Sequence, residues 1–537
     1  MASEPRPSDT TPMISVAYDA TESPSAVTAK EALKLGHDVT LSFSGDALIV
    51  KDKAIAKRER SKFCGVPVGA AKSELPIPFY NVLWAEVTES ALLIDYATVS
   101  KSHARPRKLK YPLDGVTLED AAAWIEELLK RAYGTAQRRK RAKVLVNPLA
   151  GPGGADKIWE HTVKPLFEAA RMTLDVSRTE FHGEAIAICE KLDLDAYDVV
   201  IPCSGDGLPY EVFNGLGKRP DGRRALRQLA VAHIPCGSGN GLSCNINGTY
   251  KPGPAALAII KGVRTPLDLM SVTQGDQRML SFLSQSFGIV AECDLGTENL
   301  RWMGAARFDI GVVQRIFTKR TWPCEVSVKT VISDKDEIKA HYRKETNSAD
   351  FHIRREGDAA SSSSPNADSV SSENEAGEGL PPLKYGSVND KLPADWETTT
   401  LDDLGNFYCG NMGYMAPNAN FFAAALPNDG LMDLVINDGT ISAMKYVDLM
   451  TSIESGHFFN NPLISYRKIV AYRLTPKQKT GYLSIDGEAV PFEPYQVEIH
   501  QGLGTVLSKR GRYEIPGPMG WDKLGSGVVE GKSNGTP

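Results

Sequence analysis

Three glycine-rich turns, each set between a strand-like apolar run and a helix-like stretch, constrain this chain more than any other feature. The first, Asn147-Pro148-Leu149-Ala150-Gly151-Pro152-Gly153-Gly154, follows Val144-Leu145-Val146. The second, Ser204-Gly205-Asp206-Gly207, follows Val199-Val200-Ile201-Pro202. The third, Pro235-Cys236-Gly237-Ser238-Gly239-Asn240-Gly241, follows Leu229-Ala230-Val231-Ala232-His233-Ile234. A strand that turns through glycine into a helix points bare backbone N–H groups at an anion, and phosphate is the usual guest. One such turn is a weak signal, because tight turns use glycine for steric reasons. Three at the carboxyl ends of neighbouring strands mark the place where open α/β sheets bind ligands. Neither GxxxxGK[ST] nor a clean GxGxxG with a downstream acid is present, which weighs against a P-loop ATPase and an ordinary dinucleotide dehydrogenase.

Around these turns, helical patterns near residues 157–171 and 183–191 alternate with strand patterns at 173–176 and 197–202. That alternation predicts a parallel, doubly wound α/β domain over residues 141–269. Upstream, alternating runs at 38–43, 47–50, 81–87 and 91–96 predict a small antiparallel sheet, and Thr117 with Asp120 opens a helix over 121–133. Several strands closed by one amphipathic helix read as a pleckstrin-homology-like module over residues 26–137; an irregular β-rich extension of the main domain fits the same pattern. Downstream, residues 270–516 read as a mainly antiparallel β domain, whose last strand near 504–508 is expected to return to the first sheet. A serine-rich insert, residues 355–395, and the ends, 1–25 and 517–537, are expected to be disordered.

Composition narrows the class. With 42% hydrophobic and 24% charged residues in 537, the chain has the make-up of a globular protein. A net charge of −5 argues against a general nucleic-acid binder. The polar start predicts no secretory signal, and no run approaches the ~18 apolar residues of a membrane helix. Eight scattered cysteines without a CxxC pair predict reduced thiols in a cytoplasmic protein and no structural zinc.

Asp206 stands out because a carboxylate beside bound phosphates is repelled by them. It makes sense there as a Mg²⁺ partner or as a base that takes a proton from an attacking hydroxyl. Capping of the following helix is the bland alternative.

The second turn followed by Glu211-Val212-Phe213-Asn214-Gly215-Leu216, together with the first and third turns, resembles the catalytic region of the diacylglycerol kinase and sphingosine kinase superfamily. Ser204 leans toward the sphingoid-base branch. Further blocks match: Phe287-Gly288-Ile289-Val290-Ala291-Glu292-Cys293-Asp294-Leu295, Arg301 with Gly304-Ala305-Ala306-Arg307-Phe308, Gly410-Asn411-Met412, Pro427-Asn428-Asp429-Gly430-Leu431-Met432-Asp433-Leu434 and Ile485-Asp486-Gly487-Glu488. The likeness spans roughly residues 141 to 510 outside the insert. It implies a kinase that uses ATP and Mg²⁺ on the primary hydroxyl of a sphingoid base at a peripheral membrane surface. It implies Asp206 as the base. It implies nucleotide contacts from Asn147, Pro148, Gly151, Gly153, Gly154, Thr179, Ser204, Gly205, Gly207, Glu211, Gly237, Ser238, Gly239 and Asn240. Arg301 and Arg307 would hold phosphate, Asp486 and Glu488 would be acids of the nucleotide site, and the Mg²⁺ ligands stay unassigned. Asp294 would bind the lipid head, and physical chemistry agrees, since a sphingoid base carries a cationic amine that diacylglycerol and ceramide lack. Cys236, where the family often has Ala, and Leu149-Ala150, where a basic residue is common, are departures. Diacylglycerol or ceramide kinase activity, or an inactive lipid-binding adaptor, remain the rival readings. The basic run from Lys51 to Lys62 beside Cys64 reads as a solvated loop or an anionic-lipid contact, and His457 as an ordinary surface or core histidine.

Overall fold

Side-chain alternation in the central strands decides which face each helix covers. In the strand Arg141–Val146, Val144 and Val146 belong to one apolar core and Leu145 to another. In Val199–Ser204, the same alternation separates Val199, Ile201 and Cys203 from Val200. All are fully buried, so both faces of the sheet need cover, as in other buried parallel sheets. The computed structural model of the chain describes residues 31–53, 74–151, 154–296, 320–348 and 379–523. Helices Lys164–Ala169 and Pro252–Ile260 cover the first face, and Glu184–Glu190 and Gly207–Gly217 the second.

The parallel strands run in the order Thr173–Arg178, Arg141–Val146, Val199–Ser204 and Ala230–Val231. The next position is filled by the end of Tyr495–Ser508, which pairs in parallel with Val231 through Val506. The expected return of the last strand is therefore present. Along its length the same strand pairs antiparallel with Val263–Gln274, and at its start also with Ser465–Pro476. From there the sheet continues through Met432–Asp438, Leu404–Gly410 and Ser284–Gly288 to Leu483–Ile485. The two halves, read from the sequence as separate domains, form one sheet of 16 strands among the described residues. A strand of 14 residues, about 46 Å at ~3.3 Å per residue, is long enough to serve both.

The N-terminal module holds a four-stranded antiparallel sheet (Ala32–Leu35, Val39–Ser44, Ala47–Asp52, Glu74–Pro78) and a three-stranded one (Val82–Val87, Ala91–Val99, Ala104–Pro112). Helix Leu118–Tyr133 closes it. Thr117 caps this helix by accepting the Asp120 N–H at 3.1 Å. On its buried face Trp124 stacks on Phe43, ring centres 4.8 Å apart, and Tyr133 donates its hydroxyl to the Leu83 carbonyl. The module shares one continuous core with the catalytic half. Two lysines are buried along that seam. Lys261 donates to the carbonyls of Val82 and Ala132 at 2.5 and 3.0 Å, with its ammonium 3.5 Å from the centre of the Tyr133 ring. Lys140 donates to the carbonyls of Gln137 and Ile260 at 2.8 and 2.7 Å.

Two stretches expected to be disordered are in part structured. Within the insert, residues 379–395 lie against the antiparallel half. The backbone N–H groups of Lys384 and Tyr385 donate to Glu498, that of Val388 donates to Thr273, and Tyr385 meets Trp396 edge to face at 5.5 Å. In the C-terminal stretch, Trp521 packs on Tyr342 with ring centres 5.2 Å apart. Aromatic anchors and buried carboxylate acceptors order these polar segments. Helices Lys335–Thr346 and Ala443–Glu454, capped by Asp334 and Ser442, also lie in the half read as strand-rich. No helix among the described residues is long and apolar enough to cross a membrane.

Candidate active site

The three glycine turns meet at the carboxyl ends of the parallel strands. Backbone lies against backbone there. A Cβ on Gly151, whose φ is +57°, would sit 2.5 Å from the carbonyl oxygen of Cys236, and one on Gly237 would sit 2.3 Å from Gly205 Cα. Only glycine fits at either point. Hydrogen bonds lock the arrangement: Asn147 N–H donates to the Cys203 carbonyl at 3.2 Å and Cys236 N–H to the Ser204 carbonyl at 2.7 Å. Within the first turn the Asn147 side chain accepts from Leu149 N–H at 3.0 Å, with Pro148 between them and Gly154 at the start of the next helix. Within the third, Asn240, in the left-handed region at φ 60°, accepts from Gly237 N–H at 2.9 Å and donates to the Gly237 carbonyl at 2.7 Å. Ser238 and Gly239 form the half-buried tip between them. The Ser204 hydroxyl donates to the Gly205 carbonyl at 2.6 Å, and Thr179 ties the neighbouring strand end to Val146 through its N–H at 2.9 Å.

Asp206 occupies the first position before helix Gly207–Gly217 but does not cap it. Its carboxylate instead accepts from Gly241 N–H at 2.7 Å and Leu242 N–H at 3.0 Å, at the start of helix Gly241–Asn247. The second and third turns are thereby joined through the carboxylate. Behind it lies His233, fully buried, with Nε2 3.0 Å from the Ser204 carbonyl oxygen and Nδ1 3.8 Å from Asp206 Oδ1. Burial holds this imidazole below its ordinary range, against the pull of Asp206.

The antiparallel half contributes one edge of the site. Glu488 Oε1 lies beside Gly207, and its other oxygen is 3.2 Å from His182 Nε2. His182 Nδ1 is also 3.8 Å from Glu211 Oε1. His182 and His233 were not singled out from the sequence, since neither belongs to a turn motif; contact across the fold alone identifies them.

Two further motif acids are engaged by backbone donors. Glu211 accepts from Gly183 and Ala185 N–H at 2.9 and 3.1 Å, capping helix Glu184–Glu190. Asp486 accepts from the Ser281 hydroxyl and from the N–H groups of Phe282, Leu283 and Ser284, all within 3.0 Å. Burial pushes its carboxyl up to about 6 in spite of these donors. Both acids hold backbone segments beside the glycine turns. Asp294, on helix Ile289–Gly296, accepts from the Ser484 hydroxyl at 3.3 Å, in the hairpin that carries Asp486 and Glu488. Burial raises the Tyr408 phenol, its bond with the Ser284 hydroxyl opposes this, and the charges of Asp294, Asp486 and Asp206 add to the rise. Arg301, Arg307, Gly153 and Cys64 lie outside the described residues. His457 is exposed, its ring 3.1 Å from the Ser455 carbonyl. Among the described residues no three His, Cys, Asp or Glu side chains converge as a metal cage.

Residues 141–272 match the diacylglycerol kinase catalytic domain, and residues 31–134 match a domain of unknown function. The chain is 36% identical over 467 residues to sphingoid long chain base kinase 5 of Saccharomyces cerevisiae, a match covering 79% of this chain and 65% of that protein. It is 33% identical over 482 residues to sphingoid long chain base kinase 4 of Schizosaccharomyces pombe, covering 89% of this chain and 95% of that one. Among solved structures, a putative diacylglycerol kinase from Bacillus anthracis aligns with a TM-score of 0.47 at 17% identity, covering 70% of this chain and 97% of that one. Identity above 30% across nearly the full length of the fission-yeast protein, on a framework of glycine turns locked around one acid, makes this chain a member of the sphingoid long-chain-base kinase family.

Proposed function

We propose that this chain transfers the γ-phosphoryl group of ATP to the primary hydroxyl of a sphingoid long-chain base, giving the 1-phosphate. The observation that carries the reading is Asp206: an acid at the meeting point of three backbone turns, its carboxylate held by two N–H groups and only 10% of its side chain accessible. Phosphoryl transfer asks for positioning and charge neutralisation more than for covalent chemistry. In this reading, N–H groups of the turns at residues 147–154, 204–207 and 237–240, with Thr179 at the rim, receive the nucleotide. Arg301 and Arg307 add planar cationic forks suited to phosphate. Asp206 takes the hydroxyl proton. Glu211 and Asp486 serve from behind by fixing the backbone. Asp294 faces the ammonium of the lipid head.

Kinases of this family use ATP, and Mg²⁺ is the proposed counter-ion of its phosphates. The residues present fit an ion held mainly by phosphate and water, as Mg²⁺ commonly is, with half-buried Glu488 beside Gly207 as the carboxylate to hold it. When bound it supplies neutralisation of phosphate charge. The N-terminal module, four strands plus three closed by a helix, we read as pleckstrin-homology-like. Because a sphingoid base resides in membranes, we place the enzyme peripherally at the cytoplasmic side of one.

Transfer from labelled ATP to sphinganine, sphingosine, phytosphingosine, ceramide and diacylglycerol tests the proposal, with Asp206→Asn alongside. Label is expected on the free bases alone, and the variant should lose about 10²–10⁴-fold in turnover. Label on diacylglycerol or ceramide would overturn the role given to Asp294. No label on any lipid would make the chain a lipid-binding adaptor.

A further inference from the structure

Directly behind Asp206 lies a buried nitrogen with no hydrogen-bond partner among the described residues. His233 is fully buried, and its two ring nitrogens have different surroundings. Nε2 is 3.0 Å from the Ser204 carbonyl oxygen, an atom that can only accept, so Nε2 carries the proton of the neutral ring. Nδ1 is then a bare lone pair. It has no hydrogen-bond partner among the described residues and looks at Asp206 Oδ1 from 3.8 Å. Buried polar atoms are ordinarily paired, and one that is not calls for a functional account. Two acceptors facing each other gain nothing while Asp206 is ionised. Once Asp206 carries a proton, the same two atoms become donor and acceptor.

We propose that His233 is a positioning residue that receives the reaction proton's hydrogen bond from Asp206, a role that rests on Asp206 being the base. The lipid O–H bond breaks and its proton passes to the Asp206 carboxylate. The lipid oxygen bonds to the γ-phosphorus, and the β–γ bridging O–P bond breaks with its electron pair leaving on ADP. The new acid then donates its Oδ1–H to the lone pair of His233 Nδ1, closing the 3.8 Å gap by about 1 Å to reach hydrogen-bonding distance. This contact is made only as the proton arrives, which is the condition for an interaction to raise turnover and not merely binding. Two further titratable groups that feel the Asp206 charge are neutral among the described residues: the Cys244 thiol, pushed up to about 12 by burial and by that charge, and the buried Tyr408 phenol.

Two substitutions in the full-length enzyme separate this role from a structural one. In His233→Asn the amide oxygen stands in the place of Nδ1, keeping the acceptor and giving up the donor to Ser204. In His233→Gln the amide nitrogen stands in the place of Nε2, keeping that donor and giving up the acceptor. With sphinganine and labelled ATP, the Asn variant is expected to keep kcat within about threefold of wild type. The Gln variant should fall about tenfold or more, with KM for both substrates moving less than about twofold in each. The reverse order, Gln above Asn, would overturn the proposal and leave His233 as a brace for the Ser204 carbonyl. Equal, wild-type-like kcat in both would overturn it too. ¹⁵N-histidine NMR of the wild-type protein tests it without any variant: the Nε2–H tautomer is expected, and an Nδ1–H ring or an imidazolium at neutral pH would leave no lone pair to accept. An active Asp206→Asn enzyme would instead remove the base itself, so the two failures are distinguishable.

Discussion

At Gly237 a single hydrogen atom decides whether two turns can meet. Any Cβ there would lie 2.3 Å from Gly205 Cα and 2.8 Å from Gly205 N, backbone atoms that no rotamer change can move aside. Overpacking of this kind costs about 1–3 kcal/mol, and here the strain falls on the turns that receive the nucleotide. Gly237→Ala is therefore expected to raise KM for ATP about tenfold or more and to lower the melting temperature by an amount matching that cost. Steady-state kinetics beside a melting curve checks it, and an unchanged KM would mean that the turns need not touch to bind ATP. The glycines were legible in the sequence because the residue type itself carries the information. The direction of an acid was not. Glu211, Asp486 and Glu488 all sit in motif blocks, yet Glu211 and Asp486 accept from backbone N–H groups while Glu488 lies beside Gly207, because a motif marks a turn without saying which donors its carboxylate will find.

Between strands, pairing register creates a charge network that neither strand contains by itself. Asp433 of Met432–Asp438 lies directly opposite Lys468 of Ser465–Pro476. The buried Lys468 ammonium is 2.9 Å from Asp433 and 3.2 Å from Asp429, and His341 approaches Asp429 at 3.1 Å. Burial works against both carboxylates. Lys468 and His341 outweigh it at Asp429, which stays below its ordinary value, whereas Asp433 rises to about 6. Removing one partner of a buried pair leaves the others uncompensated, at about 3–5 kcal/mol. Lys468→Met should lower the free energy of urea unfolding by that amount; a loss under about 1 kcal/mol would show that water reaches the acids. The block containing Asp429 and Asp433 was visible in the sequence. Its partner 35 residues beyond Asp433 was not, because register depends on which faces become buried. The same limit explains residues 379–395: their polar composition says nothing of the Glu498 carboxylate that accepts their N–H groups.

The N-terminal module and the catalytic half are fused through one core, and two buried lysines record the cost of that seam. Burial lowers the Lys140 ammonium to about 8, with the Asp198 charge opposing, against about 10.4 for a lysine in an unfolded chain. Between those values the unfolded state binds more protons, so stability rises with pH there. Wild type is expected to gain on the order of 3 kcal/mol over Lys140→Met as pH climbs from about 8 to about 10.4. Urea unfolding of both proteins at several pH values checks this, and a difference that stays flat would mean the ammonium is not desolvated in the folded state. The sequence by itself determined the three glycine turns, the α/β alternation around them, the capped helix that closes the first module, and Asp206 as the acid among the turns. These are local properties: residue type, period and spacing along one stretch of chain. The return of the last strand was expected as well, but tertiary structure alone decided that through it the two halves become one continuous sheet and that the module's core runs into the catalytic one. It alone turned Asp486 and Glu211 toward backbone and set His233 behind Asp206. Each of those depends on atoms far apart in sequence, and their partners are chosen by which surfaces are removed from water together.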